Sequence, residues 1–100
     1  MARNPGTTSS GGNFDEATID AVWQKGAAVP GNPGSHKDVC AALMQRRKHG
    51  QTVPYGWEVD HIYPVSKGGS DNLSNLQPLQ WENNRHKGDS TSGSYCKVTS

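Results

Sequence analysis

The sequence predicts a small α+β domain in which two short helices precede a strand, a loop, a second strand and a closing helix. Three observations lead to this. In "FDEATIDAVWQKG", Ile19, Val22 and Trp23 recur at helical spacing. In "YGWEVDHIYPV" the side chains alternate, with Trp57, Val59 and His61 on one face and Glu58, Asp60 and Ile62 on the other. In "QWENNRHKG" a polar helical run stops at Gly88.

The chain has 100 residues, and 31% of them are hydrophobic, which supports one domain with a thin core. Residues 1–13, "MARNPGTTSSGGN", carry too little apolar surface to offset their ordering entropy and read as a disordered tail. The domain then spans 14–100, with a helical part at 14–50, the strand and helix unit at 57–89 and a polar tail at 90–100. The first helix opens with acidic residues and ends by Gly26. After the Pro/Gly-punctuated "AAVPGNPGSH", Ser35 is positioned to cap a second helix from about Lys37 to Lys48, ended by Gly50. Val39, Cys40, Leu43 and Met44 would form its apolar stripe.

The strand around Trp57 to Ile62 is limited by Pro64. "SKGGSDNLSN" is a turn-rich loop, "LQPL" a second extended piece, and a further strand is expected around Tyr95 to Val98. Trp23, Trp57 and Trp81 read as core.

Net charge is +1, so overall balance names no polyanionic partner. Its distribution is more informative, because Lys37, Arg46, Arg47 and Lys48 face Asp38 alone between residues 36 and 50, whereas Glu58, Asp60 and Asp71 follow. A cation and a phosphate could meet across such a boundary, although basic residues at a helix C-terminus are also accounted for by the macrodipole.

Cys40 and Cys96 are the only cysteines, which excludes a four-thiolate zinc site. A zinc site built from them with His36 or His86 matches no defensible spacing, and free thiols are the default expectation. No run approaches the roughly 20 apolar residues of a membrane span, and the N-terminus lacks the apolar stretch of a signal peptide. A cytoplasmic location is therefore expected, or a secreted one if the domain is cut from a larger toxin or effector.

The chemistry is concentrated between Trp57 and Asp89. An isolated Asp-His pair means little, but here "EVDHI" at Glu58 to Ile62, "PVSKGGSD" at Pro64 to Asp71, "LSNLQ" at Leu73 to Gln77 and "NRHKGD" at Asn84 to Asp89 follow in one order. In that combination the segment closely resembles the HNH endonucleases, over about a third of the chain. The resemblance implies a ββα-metal fold, a metal-dependent endonuclease cutting phosphodiester bonds in DNA, and a divalent ion as cofactor, magnesium or manganese.

It also implies roles. His61 would be the general base that activates water, a task suited to imidazole, and Asp60 a metal ligand. Asn75 would brace the loop and so orient the base. Asn84 stands where many members carry histidine and would be the second metal ligand, with Asn83 as its rival. Adjacent strand residues face opposite ways, so a local backbone irregularity is expected at Asp60-His61. Lys87, on the helical face of Asn84, would touch phosphate. Arg85, Lys67, Arg46, Arg47 and Lys48 are further phosphate candidates, and Glu58 a supporting residue.

Gln80 and Asn83 occupy the places where a second zinc knuckle of the family would stand, so no structural zinc is expected. DNA is the expected partner, with no membrane contact. Two alternatives remain, a nucleic-acid-binding module of this fold that does not cut, and a toxin or effector nuclease, for which an immunity protein would be a partner.

Overall fold

The computed structural model describes residues 4–91 and 94–100. Helix α1, Glu16–Trp23, is capped by Asp15, whose carboxylate accepts from Thr18 N at 2.8 Å. A three-stranded antiparallel sheet follows, in the order β1 (Ala27–Val29), β2 (Asn32–Lys37), β3 (Leu43–Gln45), and a 3-10 turn at Arg46–Lys48 leads away from it. Strands β4 (Trp57–His61) and β5 (Leu76–Gln80) form a second antiparallel pair, and β5 runs directly into helix α2, Trp81–Lys87. The chain is thus α+β, with β4, β5 and α2 as its strand, strand and helix unit.

The β4–β5 pair lies between the two helices, and all five β4 residues are buried. Its Trp57 and Val59 face joins Ile19, Val22 and Trp23 of α1, with Met44 and Leu76, in the apolar core, and Phe14 packs against the edge. Trp23 and Trp57 meet at 5.1 Å between ring centroids, and Trp23 stacks on His36 at 4.3 Å. Trp81 is half-buried and donates Nε1 to Val53 O. The opposite face of β4, carrying Glu58 and Asp60, is turned towards α2.

The second helix expected from Lys37 to Lys48 does not form. Asp38 Oδ1 instead accepts from Cys40 N at 2.9 Å and Ala42 N at 2.8 Å, closing a tight turn between β2 and β3 in which Ala41 takes a left-handed φ of 68°. An aspartate that bonds its own backbone two residues ahead competes with helix formation. Val39, placed in the apolar stripe of that helix, is 68% exposed.

The two cysteines are not free thiols. Cys40, in this turn, is disulfide-bonded to Cys96, with 5.4 Å between their Cα atoms. No strand forms at Tyr95 to Val98. That segment is held by the disulfide and by Asn83, whose Oδ1 accepts from Lys97 N and Val98 N, both at 2.7 Å.

Residues 4–13, expected to be disordered, lie against the second sheet. Thr8 and Gly12 close a turn, Gly6 approaches Glu58 so closely that an added Cβ would sit 3.3 Å from Glu58 Cβ, and Ser9 bonds Asp71. Hydrogen bonds to fixed partners, rather than apolar burial, order this stretch.

Candidate active site

Helix α2 carries Glu82 in its first turn and Arg85, His86 and Lys87 in its last, as its dipole favours. Gln80 caps it by accepting from Glu82 N and Asn83 N at 2.9 and 3.0 Å. Asn84 and Lys87, one turn apart, face β4 and are buried. Asn84 Nδ2 donates to Glu58 Oε1 at 2.9 Å, and Arg85 pairs with Glu58 Oε2 at 3.0 Å. Lys87 Nζ pairs with Asp60 Oδ1 at 3.2 Å and donates to His61 O at 2.9 Å. Gln77, opposite Asp60 in the β4–β5 register, donates to Asp60 Oδ2 at 2.8 Å. Burial raises the Asp60 carboxyl above its usual range, by more than Gln77, Lys87 and His61 lower it.

His61 ends β4 and turns its ring towards the loop, where Nε2 lies 2.7 Å from Asp71 Oδ1, and its side chain is 2% exposed. Asp71 also accepts from Ser9 N and from Ser9 Oγ, each at 2.9 Å. Burial raises the Asp71 carboxyl, but hydrogen bonds from His61 and Ser9 outweigh it and hold the group below its usual value. Asn75 shapes the loop, since its Oδ1 accepts from Tyr63 N at 2.8 Å and its Nδ2 donates to Tyr63 O and Ser70 O. The Gly-Gly turn is required by close approach. A Cβ on Gly69 would stand 1.7 Å from Tyr63 O, and Gly68 has a φ of 96°.

A cleft of about 350 Å³ is bordered by Asp60, His61, Asn84 and Arg85 on one side and by Asn4, Pro5 and Gly6 on the other. The structure therefore brings together the two metal-ligand candidates and the base candidate. It does so without the expected irregularity, because β4 and β5 pair in unbroken register through His61 and Leu76. Asp60 and His61 follow the ordinary pleat and reach the cleft because β4 ends there, leaving His61 to face the loop while Asp60 faces α2.

Among the described residues no group of three or more His, Cys, Asp and Glu is disposed to hold a metal. The donors present fit a hard divalent cation that keeps most of its shell in water and substrate oxygens. The Asp60 carboxylate has lone pairs beyond those used by Lys87 and Gln77. Asn84, having given its amide nitrogen to Glu58, keeps Oδ1 as the remaining acceptor. Asn83 does not compete for this role, because both ends of its amide are bound to Asp38, Lys97 and Val98.

The phosphate candidates divide. Lys87 is buried and neutralises Asp60, so it is not a phosphate contact. Arg46 pairs with Glu16 and Asp20 at 3.4 and 3.5 Å and lies over the Trp57 ring, holding α1 against the sheets. Arg47 and Lys67 are exposed, Lys48 is half-buried, and none of the three makes an ion pair among the described residues. Arg85 is 46% exposed and borders the cleft.

Sequence reasoning gave no role to Asp71, Ser9, Gln77 or Asn4 to Gly6. A signal for Asp71 was present, since a histidine that must act as a base needs a partner for its second nitrogen, and Asp71 is a carboxylate in the loop that Asn75 fastens. Nothing comparable pointed to Ser9 or residues 4–6.

A family model described as HNH endonuclease matches residues 45–90, which takes in β4, β5, α2 and the loop between them. No curated protein and no solved structure matches the chain.

Proposed function

We propose that residues 45–90, which match the family model described as HNH endonuclease, form a domain of that family and that the chain hydrolyses phosphodiester bonds in DNA at the cleft between β4 and α2. The observation that carries this reading is the convergence of Asp60, His61 and Asn84 on one cleft. His61 takes the proton from the attacking water. The Asp71 carboxylate and the Asn75-braced loop hold the imidazole in place. Asp60 and Asn84 Oδ1 would hold a magnesium or manganese ion, which supplies positive charge at the scissile phosphate and the leaving 3′ oxygen. Lys87 and Gln77 fix the Asp60 carboxylate from behind. Arg85 at the cleft edge, with Arg47, Lys48 and Lys67 further out, neutralises backbone phosphates.

The test is plasmid nicking in magnesium or manganese. His61→Ala should lose cleavage while its melting temperature and circular dichroism stay those of a folded chain. A chelator should abolish wild-type cleavage with little change in its melting temperature, because the cation would be catalytic and no structural zinc is expected. Full nicking by His61→Ala, with contaminating nucleases excluded, would remove His61 from the mechanism.

The Cys40–Cys96 disulfide favours a chain that works outside the reducing cytoplasm, which supports the toxin or effector reading over a cytoplasmic enzyme. Alkylation of thiols before unfolding, on the chain recovered from its source cells, reads this directly. Extensive labelling of Cys40 and Cys96 would reject it.

A further inference from the structure

We propose that Asp71, fastened by Ser9, is the positioning residue that sets the tautomer of His61, keeping the proton on Nε2 and leaving the Nδ1 lone pair to act as base. This rests on the reading of His61 as the base. It adds the residue that makes the ring competent and the part of the chain that fixes that residue.

The argument begins with the donors around one carboxylate. Asp71 Oδ1 faces His61 Nε2 at 2.7 Å, and an ionised carboxylate only accepts, so Nε2 must carry hydrogen. In a neutral imidazole that leaves Nδ1 unprotonated. Ser9 also fixes the carboxylate, with N–H contacts of 2.9 and 3.2 Å to the two oxygens and a hydroxyl contact of 2.9 Å to Oδ2. The ring has little freedom to answer otherwise, being 2% exposed and packed against Phe14 at 5.9 Å between centroids. Ser9 stands 62 positions before Asp71, so the N-terminal segment is part of the catalytic apparatus in this chain.

The same donors predict what an amide would do in place of the carboxylate. Ser9 N–H lies nearest Oδ1, the oxygen that also faces His61, and its hydroxyl reaches Oδ2. In Asp71→Asn the amide oxygen therefore keeps the Oδ1 place, where both Ser9 N–H and His61 Nε2 can donate to it, and Nδ2 takes the Oδ2 place, where the Ser9 hydroxyl oxygen can accept. Nε2 still donates, the ring proton stays where it is, and the base keeps its lone pair on Nδ1. Asp71→Ala removes the partner, so both tautomers are populated. The amide should therefore hold the ring that the truncation releases, and the readout that a purely structural role would not move is the His61 tautomer.

The experiment compares wild type, Asp71→Asn and Asp71→Ala in nicking kinetics, and in long-range nitrogen-15 correlation spectra of His61 recorded without metal at one pH where the imidazole is neutral. The expected result is a ring protonated on Nε2 in the wild type and in Asp71→Asn, and a mixture of tautomers in Asp71→Ala. In parallel, kcat should fall about 10-fold or more in Asp71→Ala, less in Asp71→Asn, with KM little changed in both. An unaltered tautomer in Asp71→Ala overturns the proposal whether or not kcat falls, as does a kcat order with Asp71→Asn lowest. If His61→Ala cleaves normally while the tautomers still mix in Asp71→Ala, His61 is not the base, yet Asp71 still sets its tautomer, so the two readings fail separately.

Discussion

Reducing the Cys40–Cys96 disulfide should cost this chain a large part of its stability. The bond joins positions 56 apart in sequence, and loop-closure entropy assigns a cross-link of that span about 4 kcal/mol at room temperature. Stabilities of small domains are about 5–15 kcal/mol, so the loss approaches the whole of the lower bound. For a domain of this size each kcal/mol corresponds to roughly 4–8 °C, which predicts a fall in melting temperature of roughly 15–30 °C. The assay is thermal unfolding by far-ultraviolet circular dichroism, with and without a phosphine reductant, on the wild type and on the Cys40→Ser/Cys96→Ser double variant. The reductant should lower the wild type to the level of the double variant and leave the double variant unchanged. A fall of less than about 5 °C, equivalent to about 1 kcal/mol or less, would refute the reasoning. It would mean that the Asn83 bonds to Lys97 and Val98 already hold the C-terminal segment without the cross-link.

Two further outcomes follow from the charges. Lys87→Met leaves the Asp60 carboxylate buried without its cation and should cost about 3–5 kcal/mol at neutral pH by urea unfolding. Burial raises the Asp60 carboxyl even in the wild type, so over the window between its ordinary and raised values the folded chain binds more protons than the unfolded one and loses stability as pH rises. The deficit of Lys87→Met should therefore shrink in acid, and a deficit independent of pH would contradict this. Among the basic residues, Arg46→Ala should leave the salt dependence of DNA affinity unchanged, because Arg46 is committed to Glu16 and Asp20. Charge reversal at Arg47 and Lys48 should weaken binding and flatten the salt slope. An unchanged slope after that reversal would remove them from the interface.

The strand, strand and helix unit was legible because its periodicities agree with its environment. β4 alternates between an apolar face and a polar one, and both faces are used, Trp57 and Val59 against α1 and Glu58 and Asp60 against α2. The two glycines were legible as a turn, and close approach to Tyr63 O admits nothing larger at Gly69, whereas the bracing place of Asn75 came from the family resemblance and not from turn chemistry. The segment from Lys37 to Lys48 was misread because its apolar spacing suits a helix, while the deciding interactions are non-local. Asp38 serves its own turn with one oxygen, and with the other it accepts from Gln80 N and Asn83 Nδ2, more than 40 residues away. The burial of Lys87 could not be read either, because spacing on a helix gives a face but not what covers it. Composition predicts a tail at residues 4–13 because it measures apolar burial, whereas this stretch is ordered by hydrogen bonds, including those from Ser9 to the Asp71 carboxylate across the site.

The positions that would carry a zinc knuckle have not simply been lost. Gln80 and Asn83 stand there, and each performs part of what a metal would do. Gln80 caps α2 through its side-chain oxygen, and its backbone N–H is held by Asp38 at 2.9 Å. Asn83, fully buried, joins Asp38 at 3.1 Å to the C-terminal segment through Val98 O at 2.8 Å. The disulfide ties the same two segments covalently, from Cys40 in the β2–β3 turn to Cys96. A tetrahedral zinc site fixes separate pieces of chain at one point. Here Asp38, Gln80, Asn83 and one disulfide fix the β2–β3 turn, the start of α2 and the C-terminus to one another. That junction lies one residue from Asn84, so the helix that would present a ligand to the cation is set by bonds independent of any metal. A cation bound there would then be removable and restorable without unfolding the site that receives it.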